Sequence, residues 1–238
     1  MRALPPTACL LGALLLTGCA VGTGTDAPSG TARAAASSAG FHGVEPAGEV
    51  PERPSFVLRD TDGRRYDFRA ETAGRPTLLY FGYTNCPDEC PTAMADIAGA
   101  LRATPSALRG QTRVVFVTTD PERDTPQVVR RWLDQFSTTS VGLVGTQAEV
   151  DAAQEAVGIR PAGRTGPVPT LPGRPDEHEH AEGTAPHTHA GPLGYGVGHT
   201  DVIFAYDADD RSPVLYPGGV RPSDLAADLP LLASGDAP

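Results

Sequence analysis

Two uninterrupted apolar runs limit what this chain can fold into more than any other feature. "TLLYFGY" (77–83) and "TRVVFVTTD" (112–120) lack the polar alternation of a half-exposed strand. Each has the length of a strand buried on both faces, as in a parallel sheet covered by helices. Between them, Met94, Ile97, Ala98 and Leu101 recur at helical spacing within residues 91–103. Next, "TPQVVRRWLDQF" opens with a Thr and places Pro at the first helical position, with Val128, Val129, Trp132, Leu133 and Phe136 on one broad face. "VGLVG" reads as a short strand, and "TQAEVDAAQEAVGI" as a helix begun by a capping box, Thr146 with Glu149. Strands alternating with helices of this length imply βαβ units around a parallel core, so the class is α/β. The flanks differ. "SFVLRDTDGRRYDF" is an N-terminal β-hairpin turning at Thr61-Asp62-Gly63. "HTDVIFAYDADDRSPVLYPGG" is a pair of strands around an Asp-rich turn, and "RPSDLAADLPLLA" is a closing helix.

The 238 residues suffice for one domain with tails. The start, "MRALPPTACLLGALLLTGCA", has one Arg before an apolar stretch of about ten residues, the form of a secretory signal and too short to span a bilayer. Leu16-Thr17-Gly18-Cys19 resembles the bacterial lipobox, in which the Cys is lipidated and becomes the new first residue. The expected organisation is a signal peptide over 1–18, a Gly/Ala/Ser-rich tether over 19–53, a domain over 54–233 and a tail over 234–238. The expected location is extracytoplasmic, with lipid on Cys19 holding the domain at the outer face of the cell membrane. All 19 basic residues are Arg, and the formal net charge of −10 argues against general binding to nucleic acid.

With Cys9 in the signal and Cys19 lipidated, Cys86 and Cys90 are the thiols of the mature chain. They sit in "FGYTNCPDECPTAM", where a buried strand meets the next helix, at the sheet edge where α/β ligand sites lie. Helix N-terminal amides favour a thiolate, so a lowered pKa is expected at one or both sulfurs. A step of four residues puts both on one side of a first helical turn. A disulfide, a metal clasp for Cu(I) or Zn(II), and a redox thiol pair all remain open. A structural disulfide gains little here, because so short a loop constrains the unfolded chain weakly.

"GYTNCPDECPTAM", "VFVTTDPERDTP", "GLVGT" and "GHTDVIFAYDADD" follow the order and spacing of the Sco/SenC family, which the chain resembles over residues 55–232. The resemblance implies a thioredoxin-like fold with a mixed central sheet flanked by helices. It also implies a copper ion, Cu(I) or Cu(II), held by Cys86, Cys90 and the His199 of "GHT". The implied role is a metallochaperone for the binuclear copper site of cytochrome c oxidase. Its partners would be the oxidase subunit carrying that site and another copper chaperone of periplasmic type. The alternative, which family members also suggest, is a thiol–disulfide oxidoreductase with Cys86 and Cys90 as the redox pair. His199 separates the two, since copper needs it and disulfide exchange does not. In "DPERDTP", Asp120 to Asp124 read as a turn capping the next helix, flanking the site or meeting a partner, not as ligands.

Residues 160–198 are dense in Pro and Gly and have no periodicity, so a long loop is expected there. Its His-rich part, 176–190, holds His178, His180, His187 and His189 as two His-x-His pairs among Asp and Glu. In an extended chain each pair presents two imidazoles on one side, a set suited to Cu(II) or Zn(II). This tract lies outside the family motifs. Its expected role is either an auxiliary metal collector or a solvated insert without specific function.

Overall fold

The chain enters its sheet through the expected hairpin, β1 (Val57–Asp60) and β2 (Arg65–Asp67), with Leu58 opposite Tyr66. Gly63 sits at φ 82° in the turn, a conformation other residues resist. A short helix, α1 (Phe68–Thr72), follows, its N-terminus capped by the Asp67 side chain. The first apolar run becomes β3 (Thr77–Gly82), buried at all six positions. Then come α2 (Glu89–Ala103), α3 (Ser106–Gln111), and β4 (Arg113–Thr118), built from the second run. Thr125 caps α4 (Pro126–Leu133), which leads to β5 (Val141–Val144). The capping box forms as expected at α5 (Gln147–Ala156). Three short strands follow, β6 (Arg164–Thr165), β7 (His187–Ala190) and β8 (Gly196–His199). The chain closes with β9 (Val202–Tyr206), β10 (Val214–Pro217) and α6 (Pro222–Ser234).

This computed structural model describes residues 40–165, 187–190 and 196–235. The main sheet runs β10-β9-β3-β4-β5-β1-β2. β3, β4 and β5 are parallel and the outer pairings are antiparallel, so the sheet is mixed. Alternation along β3 sends Leu78 and Tyr80 into one apolar layer, with Met94, Ile97, Leu225 and Leu229. Leu79 and Phe81 enter the other, with Phe56, Phe68 and Val150. The parallel strands thus bring their carboxyl ends together between two covered faces. Among the described residues, no helix is long and apolar enough to cross a membrane.

Two segments depart from the reading of the sequence. Residues 40–53, placed in the tether, pack onto the domain. Phe41 is buried, Val44 bridges Leu215, and the Arg53 side chain is fully enclosed. The expected loop over 160–198 contributes a second, three-stranded sheet of order β6-β8-β7. Cys19, His178 and His180 lie outside the described residues.

Candidate metal centre

β3 delivers the chain at Gly82 to the cysteine loop, and α2 begins at Glu89. Cys86 therefore precedes the helix, and Cys90 is its second residue. The Cys90 amide, one of the unsatisfied donors of a helix start, donates to Cys86 Sγ at 3.4 Å. The two are not joined in a disulfide, and Cys86 is 6% exposed while Cys90 is fully buried. The Cys90 sulfur lies over the Gly82 backbone, where an added Cβ would stand 2.8 Å from it. Glycine at the strand end thus makes room for the thiol.

The expected lowering of the thiol pKa is not found at Cys90. Its thiol is pushed well above the ordinary range, first by burial and next by the Cys86 sulfur beside it. The Tyr83 backbone and the Tyr80 hydroxyl act in the opposite direction without prevailing. Desolvation at a fully enclosed sulfur outweighs the helix start. Cys90 is held as a thiol until something replaces its proton.

Two tyrosines of β3 and its exit frame the pair. Tyr80, fully buried and beside Cys90, donates its hydroxyl to Asp201 Oδ1 at 2.9 Å. Tyr83 is also buried, its hydroxyl within hydrogen-bonding reach of the Val197 main chain, with the Arg123 guanidinium over its ring at 5.8 Å. Arg123 in turn pairs with Asp120. Asp124 accepts hydrogen bonds from the Thr84 amide (2.9 Å), the Thr84 hydroxyl (2.5 Å) and the Thr118 hydroxyl (2.6 Å). The "DPERDTP" turn therefore does more than lead into α4, which Thr125 caps. It braces the cysteine loop. The sequence places this turn beside the site but does not reveal the bracing contacts, nor the roles of Tyr80, Tyr83 and Val197.

His199 ends β8, and its main chain lies between two anchored residues. Val197, 1% exposed, belongs to the apolar layer containing Tyr83, Cys86 and Cys90. Asp201 is tied to Tyr80. Residues 197 and 199 share a face of the strand by alternation. Among the described residues, no three His, Cys, Asp or Glu side chains form a metal-sized group. The side chain of His199 lies outside those described. His187 and His189 stand in β7, opposite His199 and Val197 respectively.

A family model described as SCO1/SenC matches residues 44–233. Protein SenC of Rhodobacter capsulatus is 41% identical over 83 residues, 34% of this chain and 37% of that protein. The mitochondrial SCO1 homolog of Homo sapiens is 27% identical over 177 residues, 74% of this chain and 50% of that protein. ScoI of Bradyrhizobium japonicum, solved with copper bound, is 29% identical with a TM-score of 0.55, covering 76% of this chain and 99% of that one. The matches span about half or less of the curated relatives, 53%, 28% and 36% in three of them.

Proposed function

Because this chain belongs to the SCO1/SenC family, we propose that it is a copper metallochaperone holding one copper ion, Cu(I) or Cu(II), through Cys86, Cys90 and His199. The observation that carries this reading is the convergence of the cysteine loop and the 197–201 segment. One thiol accepts from the amide of the other, while Val197 and Asp201, on either side of His199, are anchored to Tyr83 and Tyr80. Two thiolates and one imidazole form a donor set for Cu(I) that also accepts Cu(II). The relative from Bradyrhizobium japonicum, described with copper bound, points to the same cargo.

Loading must displace the Cys90 proton, because burial favours the thiol, so copper affinity rises with pH. Release proceeds by ligand exchange. Cys86 is the less deeply buried of the two residues, so an incoming acceptor thiolate is expected to replace it before Cys90. The acceptor is the cytochrome c oxidase subunit with the binuclear copper site, and another periplasmic-type copper chaperone is the donor. Lipid on Cys19 holds the domain at the outer membrane face, near a membrane-bound acceptor. Replacing Cys19 with Ser should release the protein from the membrane fraction.

Anaerobic copper titration of the reduced protein tests the site. Thiolate-to-Cu(II) absorption should vanish in Cys86→Ser and change in His199→Ala. A spectrum indifferent to both substitutions rejects this ligand set.

The adjacency of two unlinked thiols also favours a second reading, a thiol–disulfide oxidoreductase acting on the oxidase copper-site cysteines. Two thiols here would become a disulfide while an acceptor disulfide becomes two thiols. His199→Ala that still supports oxidase assembly selects this reading over copper delivery.

A further inference from the structure

Two tyrosines each touch one cysteine on one side and one end of the 197–201 segment on the other. The Tyr83 carbonyl accepts from the Cys86 amide at 3.2 Å, while its hydroxyl lies within hydrogen-bonding reach of the Val197 main chain. Tyr80 lies beside Cys90, and a Cβ added at Gly82 would stand 2.8 Å from that sulfur and 2.9 Å from the Tyr80 ring. Its hydroxyl donates to Asp201 Oδ1 at 2.9 Å. Both tyrosines are buried, so neither hydroxyl can lose its protein partner without cost.

Further contacts hold the ends of the segment. The Asp201 carbonyl accepts from the Gly218 amide at 3.0 Å, and its carboxylate fills the place where any side chain at 218 would stand. At the other end the Gly198 amide donates to the Gly163 carbonyl at 2.9 Å. The neighbouring Ala162 amide donates to Oε1 of Gln154, a buried residue of α5, at 3.1 Å. The main chain at 199 is thus suspended between two held points, one answering to each cysteine.

We propose that Tyr80 and Tyr83 are positioning residues of the copper site, their hydroxyls fixing the main chain that carries His199 relative to Cys90 and Cys86. This rests on the three-ligand reading given above. Neither hydroxyl is a ligand. They restrict the histidine segment before the ion arrives, so less freedom is lost on binding. Phe at either position keeps the ring and its packing and deletes the bond alone. For Tyr80 the effect should be reproduced at Asp201, which holds the other end of the same bond.

The test uses full-length protein in detergent, reduced and titrated anaerobically with a Cu(II) salt against a competing chelator. Urea unfolding establishes that each variant is folded. Tyr80→Phe and Tyr83→Phe should each lower copper affinity by about 10–100-fold, as loss of partners outside the ligand shell does. Asp201→Ala should match Tyr80→Phe, and the two together should be no worse than either, because one bond is deleted once. In a His199→Ala background, Tyr80→Phe and Tyr83→Phe should change affinity by less than about twofold. A general packing role would not lose its effect in that background. If both Phe variants bind as tightly as wild type while His199→Ala is weakened, the positioning role falls and the three-ligand reading stands. If Phe costs as much with His199→Ala as without it, the tyrosines act on the cysteines alone and the inference falls. If His199→Ala itself binds as wild type does, the three-ligand reading falls and this inference with it.

Discussion

Asp124 accepts hydrogen bonds from both the amide and the hydroxyl of Thr84, two residues ahead of Cys86. With Thr118 as its third donor, this one carboxylate joins the end of β4 to the cysteine loop. Burial raises its pKa, opposed by Thr118 and Thr84, so its charge is held at a cost in exchange for a fixed loop.

Asp124→Ala should leave three buried or half-buried donors without their acceptor, at a cost of about 1–3 kcal/mol for a group stranded in this way. Asp124→Asn keeps one carbonyl oxygen at the same place and should cost less. Urea unfolding of the three proteins checks the order. Copper titration should show weaker binding in the Ala variant even at temperatures where it is fully folded, because Cys86 is no longer positioned. Equal unfolding midpoints in the wild type and the Ala variant would remove the bracing role.

Gly82→Ala tests the seating of Cys90. The new methyl would stand 2.8 Å from the sulfur and 2.9 Å from a Tyr80 ring carbon. Overpacking of a filled core costs about 1–3 kcal/mol. The thiol is the movable neighbour, so its displacement toward solvent should speed alkylation of Cys90. Single-thiol variants carrying Cys86→Ser isolate that rate. With Gly82 in place, Cys90 should label more slowly than an exposed thiol at neutral pH and gain rate as the pH rises, following its raised pKa. An alkylation rate that Gly82→Ala leaves unchanged would mean that the close approach is not limiting.

The strands and helices that build the core are legible in the residues because burial leaves a periodic mark. β3 is buried along its whole length and reads as an unbroken apolar run. The capping box at Thr146 and Glu149 is equally local. What escapes a reading of the chain lacks that local mark. Phe41, Val44 and Arg53 are isolated anchors in a stretch of small residues, and each acts through a partner far along the chain. β7 and β8 are made of His, Thr, Gly, Ala and Val and are joined by main-chain pairing, which composition does not reveal. The cysteine spacing marks the site, but the Asp124 brace spans 40 residues. The direction of the Cys90 shift depends on how completely Tyr80 and Gly82 enclose the sulfur. Helix position alone gives the opposite sign.

His42 makes stability depend on pH at the β10 edge of the sheet. Its Nδ1 lies 2.6 Å from Asp228 Oδ1, and its amide donates to Asp228 Oδ2 at 2.8 Å. Tyr216 donates its hydroxyl to the same carboxylate at 2.8 Å. The Asp228 hydrogen bond and charge raise the His42 pKa above 6.5; Asp224 adds to this, while burial and Arg221 oppose it. A histidine pKa raised by folding contributes stability that is complete below the unfolded value and fades as pH climbs through the folded one. His42→Ala should therefore lower Tm more at about pH 5.5 than at about pH 8.5, on either side of the ordinary histidine pKa. A Tm difference that does not change with pH would show that the imidazole contributes packing without charge.

Arg53 shows that the domain begins well before its first strand. It is fully buried and donates to Asp210 Oδ1 (2.7 Å), the Thr72 hydroxyl (3.0 Å), the Arg75 carbonyl (2.9 Å) and the Asp207 carbonyl (2.8 Å). Its guanidinium also lies 5.1 Å from the centre of the Tyr206 ring. Burial lowers its pKa and the Asp210 hydrogen bond and charge oppose that, so the fork is costly to enclose and is compensated by its partners. Removing one member of such a buried set costs about 3–5 kcal/mol, the range expected for Arg53→Ala. Arg53→Lys should recover only part of this, because an ammonium has no planar fork to reach four separated acceptors. The same bonds predict the outcome of trimming the amino end. A chain starting at Ser38, where the main compact unit begins, should keep the full-length urea midpoint. One starting at Pro54 should lose at least as much stability as Arg53→Ala, since Phe41 and Val44 leave with the arginine. A chain from Pro54 that unfolds at the full-length midpoint would return residues 40–53 to the tether.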